Sequence, residues 1–322
     1  MTADPSHTYF VVGAERSGST LLRLMIACHT EIAMVGQFEY AILGVGDDGT
    51  LPDPAAFAAD MEVDRIFQAS GLTIDPALGY RELAHDLLEQ TRAAADAEIV
   101  GGMVHFEFDR LLHLWPEARF VHLVRDGRDV SRSAIAMGWA GDMWHAGDGW
   151  LHAEHMWDAM SVTIPQDRRH ELRYEDLVTS PEPTLRALTA FLGVDFSPAM
   201  FDYPEVSDYP APDPARLDQW RHKLGPDEIR LAEARVGAML RSRGYELSGG
   251  DTTPPSRTEL RRLTISNRVF RARHRLERYG ALLWLKELVT RRLGMHDRWR
   301  AYKIEMNELE QAGLMKVPPA VP

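Results

Sequence analysis

The pattern of apolar and polar positions along the chain predicts short buried strands that alternate with amphipathic helices. Strands buried on both faces of a parallel sheet are short apolar runs, whereas helices repeat apolar residues every three to four positions. Runs of the first kind occupy residues 10–12, 98–105, 118–124 and 169–174. Helical repeats occupy residues 18–28, 54–69, 79–96, 107–114, 130–137 and 181–192. This alternation predicts an α/β fold, with helices flanking a parallel sheet.

A glycine-containing loop joins the first predicted strand to the first predicted helix. The spacing of Gly13, Gly18 and Thr20 resembles the Walker loop, G-x-x-x-x-G-K-[ST], whose N–H groups surround a phosphate. A nucleotide triphosphatase has Lys before Thr20, where this chain has Ser19, and the loop cation here is Arg16. The loop therefore predicts a P-loop-type sheet and a bound anion, but it argues against ATP. A glycine turn without a ligand, in an unrelated α/β domain, is the alternative.

Further polar side chains suited to chemistry near an anion follow the other predicted elements. His105 ends the second strand, where an imidazole can take a proton near neutral pH or serve as a hydrogen-bonded structural residue. Arg125 ends the third strand, where a Walker B strand would carry an acid for Mg²⁺. Arg125 suits a second phosphate, which Ser133 could also contact. Glu39, after the first helix, is either a site carboxylate or a solvated loop acid.

Charge is distributed unevenly along the 322 residues and restricts the classes of partner. The formal net charge is −12, which argues against general binding to nucleic acid. Residues 251–322 carry 15 Lys and Arg against 8 Asp and Glu, a net of +7, which leaves −19 on the first 250 residues. An anion site in this acidic body must therefore be made by local cations.

Cysteine and histidine usage argues against a metal site and indicates a reducing compartment. Cys28 is the only cysteine, so it forms neither an intrachain disulfide nor a multi-cysteine zinc site, and we predict that it is buried. His152 and His155 lack a third ligand in register, and the Trp-rich stretch 138–160 predicts core and pocket wall. We see no signal peptide and no apolar run near the roughly 18 residues of a membrane span, so we expect a cytoplasmic protein.

The region after residue 194 predicts irregular structure close to a ligand. Residues 195–217 contain five prolines, which is typical of a lid or of a disordered segment. Trp220, Arg221 and Lys223 follow directly. These three either close over an anionic cofactor or belong to a helix cap with exposed basic residues.

Composition predicts three units along the chain: a domain at 1–247, a linker at 248–256 and a basic helical C-terminal extension at 257–322. The extension contains two helix-forming segments, about 257–293 and 295–312. One interpretation is a partner helix or a membrane-surface helix. The other is that these helices pack onto the acidic body or onto a second subunit as a homodimer.

Taken in order, the motifs in residues 9–240 resemble those of the sulfotransferases that use 3′-phosphoadenosine-5′-phosphosulfate (PAPS). Residues 13–22 resemble the family's 5′-phosphosulfate loop, and residues 120–133 resemble its 3′-phosphate motif. Residues 173–193 are similar to its adenine-side segment, and residues 220–223 to its last cofactor-covering loop. Four segments in the same order are a more specific signal than any one of them.

The resemblance implies a set of residues that bind PAPS. They are Arg16, Ser17, Gly18, Ser19, Thr20, Leu21, Arg125, Ser133, Tyr174, Trp220, Arg221 and Lys223. Arg125 and Ser133 correspond to the residues that hold the 3′-phosphate. Leu21 stands where the family has an aromatic residue that stacks on adenine.

The resemblance also implies transfer of a sulfuryl group to an acceptor hydroxyl or amine, without a metal, to leave 3′-phosphoadenosine-5′-phosphate (PAP). The implied catalytic residues are His105, Arg16 and Glu39, with His105 as the base and Glu39 as the second choice. The family's cytosolic members have Lys-Thr-His where this chain has Met-Val-His at 103–105, so no lysine corresponds. Relatives with a glutamate base have it at the position of Gln37, two residues before Glu39.

The acceptor class is left open by the sequence. We expect a small molecule, a saccharide or a peptide, and no nucleic acid. An ATP-dependent phosphotransferase with a P-loop and a non-catalytic nucleotide-binding protein are the alternative functions.

Overall fold

The computed structural model describes residues 7–316, whose strands form one five-stranded sheet. The strands are β1 (Thr8–Val12), β2 (Ile32–Val35), β3 (Ile99–Val104), β4 (Arg119–Val124) and β5 (Arg169–Arg173). Their order is β2-β3-β1-β4-β5, and every neighbouring pair is parallel. The predicted α/β class, a parallel sheet flanked by helices, is confirmed.

Helices cover both faces of this sheet. The helices before the last strand are α1 (Ser19–Ala27), α2 (Pro54–Met61), α3 (Arg65–Ser70), α4 (Tyr80–Ala94), α5 (Leu111–Leu114), α6 (Gly127–Ala136) and α7 (Met143–Ser161). Those after it are α8 (Tyr174–Thr179), α9 (Pro181–Leu192), α10 (Tyr203–Val206), α11 (Gln219–Lys223), α12 (Pro226–Ser242), α13 (Arg257–Tyr279), α14 (Ala281–Arg292) and α15 (His296–Lys316).

Strands β1 to β4 divide their side chains between two cores. On β1, Phe10 and Val12 enter a core shared with α4, α7 and α12, whereas Tyr9 and Val11 enter a core shared with α1, α8 and α9. Alternate residues of a strand point to opposite faces, so one apolar run supplies both cores. Because both faces are covered, the polar residues that follow the strands meet at the carboxyl edge of the sheet.

Three local predictions are wrong. The predicted strands leave out residues 31–40, but Ile32–Val35 form β2, an edge strand of four residues paired with β3. Residues 54–69 are predicted as one helix, but the carboxylate of Asp64 accepts two backbone N–H bonds at the start of α3, which separates it from α2. Cys28, predicted to be buried, is partly exposed at the end of α1.

The C-terminal extension contains three helices where two segments are predicted. The predicted segment 257–293 breaks at Gly280, whose φ of 74° suits glycine and ends α13 before α14 begins. The division into 1–247, 248–256 and 257–322 stays a prediction.

Residues 195–217, predicted as irregular, include the short α10 and are packed against the body. Tyr203 and Tyr209 are buried in the same core as α1. The Tyr203 hydroxyl donates a hydrogen bond of 2.9 Å to the carbonyl of Pro210. The carbonyl of Arg216 accepts from Arg125, so the end of the segment lies at the carboxyl edge of the sheet. No helix within residues 7–316 has the length and apolar character that crossing a membrane requires.

Candidate active site

The carboxyl ends of three adjacent strands bring the main predicted site residues together. The last residue of β1 is in register with the last residue of β3 and also lies beside β4. The loop that starts at Gly13 follows β1, His105 follows β3 and Arg125 follows β4. These three therefore emerge side by side at the middle of the sheet, where ligands of open parallel sheets bind.

The loop between β1 and α1 depends on glycine at two positions. Gly13 has a φ of 145°, and a Cβ atom there would lie 2.3 Å from the carbonyl oxygen of Leu123 on β4. Gly18 has a φ of 97° directly before α1, and a Cβ atom there would lie 2.1 Å from the ring of Tyr174. Arg16 also has a positive φ, 71°. The two glycines let the loop lie close against β4 and Tyr174, and such a loop before the amino end of a helix favours an anion.

His105 lies at the centre of a hydrogen-bonded chain from Glu39 to Ser19. Glu39 Oε1 accepts the backbone N–H of His105 at 3.0 Å and lies 2.6 Å from Nδ1. A carboxylate only accepts, so Nδ1 carries a proton, and in the neutral imidazole Nε2 then accepts from the Ser19 hydroxyl at 3.2 Å. His105 is 6% exposed and Glu39 is 7% exposed, so the pair is shielded from water.

Arg16 and Ser133 connect the first loop to the segment that follows β4. Arg16 Nε donates to Ser133 Oγ at 2.9 Å. Arg125 donates from Nη1 and Nη2 to the carbonyls of Arg16 and Arg216, each at 3.3 Å, and its guanidinium lies 4.2 Å from the ring centre of Tyr174. Two arginines and a serine hydroxyl therefore converge beside the glycine loop.

Buried donors of this cluster have no hydrogen-bond partner in the part of the chain that the structure describes. They are the Ser17 hydroxyl and the Nε of Arg125. Asp129 Oδ2 lies 3.7 Å from Arg125 Nη2, and burial raises the pKa of Asp129. Buried polar groups are normally paired, so the cluster has unused capacity to bind an anionic ligand.

Burial also changes the charge balance around the loop. It lowers the pKa of Arg16 and raises the pKa of Glu15, on which the charges of His105, Glu39 and Arg16 also act. Burial raises the pKa of Tyr209 to about 12, so this phenol near Arg16 is neutral at physiological pH. The loop therefore lies in a partly dehydrated setting, where charge–charge interactions are stronger than in water.

The other predicted cofactor residues lie outside this cluster. Leu21 is 2% exposed in the core beneath α1. Trp220 is buried, and its ring lies 3.5 Å from the guanidinium of Arg128. Arg221 and Lys223 are exposed on α11. The backbone N–H of Trp220 donates to Asp129 at 2.9 Å, but within residues 7–310 no hydrogen bond or ion pair joins these four residues to Arg16 or Ser133.

An open cavity of about 620 Å³ lies against the loop. Its lining includes Arg16, Ser19, Thr20 and His105 from the predicted site, together with residues of α3 and Trp139. The stretch 138–160, which contains Trp139, is predicted as core and pocket wall. The structure places Trp139 in the wall of this cavity.

Sequence reasoning missed three arginines near the site. Arg23 and Arg65 line the cavity, and the carbonyl of Arg216 accepts from Arg125. A signal existed only for Arg23, because it lies three residues after Thr20 on one helix and so shares its face. Arg65 and Arg216 belong to segments without a motif, and only tertiary packing brings them here.

The sequence of the chain is similar to known sulfotransferases. The model of the Sulfotransferase family matches residues 9–198. Protein-tyrosine sulfotransferase 2 of Gallus gallus is 25% identical over 268 residues, which are 74% of this chain and 69% of that protein.

Two solved structures share the fold. The sulfotransferase domain of the Synechococcus PCC 7002 olefin synthase has a TM-score of 0.51 and 22% identity, over 74% of this chain and 95% of that domain. The sulfotransferase domain from the curacin biosynthetic pathway has a TM-score of 0.52 and 19% identity, over 74% of this chain and 98% of that domain. At these identities the similarity shows the fold alone.

Proposed function

The chain belongs to the sulfotransferase family, and from this membership we propose that it transfers a sulfuryl group from PAPS to an acceptor hydroxyl or amine. The observation that supports the donor best is the contact between two anion-binding segments. Arg16 in the loop after β1 donates to Ser133, beside Arg125. PAPS carries anionic groups at both its 5′ and 3′ positions, whereas ATP has no 3′-phosphate. Two adjacent cation sites therefore favour PAPS.

The side chains present fit the two anionic groups of PAPS. The loop N–H groups, with Ser17, Ser19 and Thr20 at the start of α1, would hold the 5′-phosphosulfate. Arg125 and Ser133 would hold the 3′-phosphate. The Ser17 hydroxyl and Arg125 Nε are buried donors without partners in the described part of the chain, so a bound anion would satisfy them. Hydrogen bonds to charged groups contribute about 1.5–3 kcal/mol each.

The chain's own residues would then orient the acceptor and move a proton. Bound PAPS supplies a sulfuryl group attached to a phosphate leaving group. Glu39 holds Nδ1 of His105, so Nε2 keeps the lone pair that takes the acceptor proton. The Ser19 hydroxyl donates to Nε2, and it marks the position that an acceptor hydroxyl would take. Arg16 would offset negative charge on the transferring group.

Ligand-dependent thermal stability tests the donor. PAP should raise the melting temperature more than ADP or Mg-ATP does at equal concentration. Arg125→Gln should remove this excess, because it removes the cation assigned to the 3′-phosphate. Arg110→Gln is the control, since this arginine already pairs with Asp47 and Glu107 and the excess stabilisation by PAP should persist.

Transfer of label from PAPS to a panel of phenols, sugars and peptides tests the reaction.

Two outcomes would favour the alternative functions. A larger rise in melting temperature with Mg-ATP than with PAP would favour an ATP-dependent phosphotransferase. Tight PAP binding without transfer to any acceptor would favour a non-catalytic nucleotide-binding protein. Ser19 before Thr20, in place of lysine, argues against the first of these alternatives.

A further inference from the structure

Three arginines line the cavity in front of the proposed base, and not all of them belong to the proposed donor site. Its lining includes Arg16, Arg23 and Arg65. Arg16 is held by Ser133 and belongs to the proposed donor site. Arg65 Nε lies 3.3 Å from a carboxylate oxygen of Glu310 on α15. Arg23 is therefore the cavity arginine whose role needs another explanation.

The guanidinium of Arg23 has no counter-ion in the described part of the chain. Its side chain packs along Gly36, where a Cβ atom would lie 3.2 Å from Arg23 Cδ and 3.5 Å from Nε. Among the side chains of residues 7–310, no carboxylate oxygen lies within 4.0 Å of its nitrogens. Thr20, one turn earlier on α1, lines the same cavity. Arg23 therefore presents unused donors to the space before the proposed base.

A partly buried cation without a partner is costly, since desolvation of a charge is compensated only by pairing or hydrogen bonds. Burial lowers the pKa of Arg23, and no neighbouring charge opposes that effect. A shortage of acids is not the reason, because the first 250 residues carry a net charge of −19. By contrast, Arg110 pairs with both Asp47 and Glu107.

Glu15, an acid in the lining of the cavity, does not neutralise Arg23. Burial raises the pKa of Glu15, and the charges that act on it are those of His105, Glu39 and Arg16. Glu15 therefore belongs to the end of the cavity at the proposed base. Arg23 stays available to a ligand.

We propose that Arg23 binds an anionic group of the acceptor. The acceptor class is then a molecule that carries a carboxylate, sulfate or phosphate in addition to its nucleophilic hydroxyl or amine. A guanidinium suits this task because its fixed fork of donors holds such groups through two parallel hydrogen bonds. Anchoring at Arg23 would orient the nucleophile toward His105, which lowers the entropic part of the barrier. This inference rests on the proposed function, because an acceptor exists only for a transferase.

Calorimetric titration of the PAP-saturated protein with matched phenols tests the proposal. The probes carry a carboxylate, a sulfate-like sulfonate or a phosphate at the para position, directly or after an ethylene spacer. Neutral amides of equal length are the comparison. We expect one anionic phenol to bind at least about 10-fold tighter than its amide, and we expect Arg23→Gln to reduce the preference below about threefold. The phenol that binds best identifies the anionic group.

Two variants make the result specific. Arg65→Gln is the matched control, because it removes a cavity arginine that already faces Glu310, and the preference should persist. Unchanged PAP affinity in Arg23→Gln shows that this variant is folded. Equal binding of charged and neutral phenols, or a preference that survives in Arg23→Gln, would overturn the proposal. If the proposed function is wrong, the wild-type protein will not bind PAP, and this result is distinct from the phenol result. In that case the phenols are titrated into the protein without PAP.

Discussion

His105 and Glu39 form one hydrogen-bonded pair at the end of β3. The carboxylate of Glu39 holds both the backbone N–H and the Nδ1 side of His105. Glu39 thus faces the side of the ring away from Ser19, which donates to Nε2. In the proposed reaction, therefore, His105 is the base and Glu39 positions it. The two residues complement each other and do not compete for one role.

Substitution of each partner separates these roles. We expect His105→Ala to lower kcat by about 10²- to 10⁴-fold, since it removes the proposed base. Glu39→Gln should lower kcat less, because the amide oxygen can still accept from Nδ1. Initial rates with labelled PAPS measure both effects, and calorimetry with PAP should show unchanged affinity. Full turnover by His105→Ala would exclude His105 as the base.

The helices of the C-terminal extension contact elements that line the cavity. Asn267 of α13 is 8% exposed and accepts a hydrogen bond of 2.8 Å from the N–H of Gly141, near Trp139. Asn307 of α15 donates to the carbonyl of Val63, just before α3. The extension therefore supports two walls of the cavity.

Apolar side chains of α14 face solvent. Leu282 is 67% exposed and Leu285 is 55% exposed on α14. Contact with a second subunit or a membrane surface stays a prediction for this face.

Removal of the Asn267 side chain tests how firmly the extension is attached. We expect Asn267→Ala to lower the free energy of unfolding by about 1–3 kcal/mol, because the partly buried N–H of Gly141 loses its acceptor. Arg268→Ala, on the exposed side of the same helix, is the control and should change it by less than about 0.5 kcal/mol. Urea unfolding measures both values. Equal effects of the two variants would contradict this role of Asn267.

A buried charge network joins the sheet to the helices of the whole molecule. His122 of β4 is completely buried and stacks on Trp157 of α7, with ring centres 4.6 Å apart. His122 Nε2 lies 3.3 Å from Glu154 Oε2, and Arg243 Nε donates to the same oxygen at 2.5 Å. This network ties β4, α7 and the residue after α12 together, and the proposed site does not use it.

The network makes stability depend on pH. Burial opposes protonation of His122, but the carboxylates of Glu154 and Glu171 outweigh it and raise the pKa of His122 above its ordinary value of 6.5. A pKa that is higher in the folded state than in the unfolded state contributes stability below about pH 6.5. This contribution is lost as pH rises through the folded-state pKa.

We therefore expect the free energy of unfolding to fall as pH rises above about 6.5. In His122→Gln the free energy of unfolding should fall less steeply over the same pH range. Urea unfolding at several pH values between about 6 and 9 measures it. His155→Gln replaces an exposed histidine on α7 and should keep the wild-type slope. Identical slopes in wild type and His122→Gln would contradict the assignment.

The sequence by itself determined the strands at the middle of the sheet, the loop from Gly13 and the positions of His105 and Arg125. These features are local, since apolar runs mark buried strands and the residues directly after them mark one edge of a parallel sheet. The edge strand β2 was not determined in this way, because four residues show too little periodicity and their state depends on pairing with β3.

Only the tertiary structure decided which of these residues touch. Glu39 and His105 are 66 positions apart, and Arg16 and Ser133 are 117 positions apart. Their hydrogen bonds depend on the packing of whole elements, which no short motif encodes. Arg23 shares a helix face with Thr20, but its packing along Gly36 and the absence of a neighbouring acid among the described residues also depend on tertiary packing.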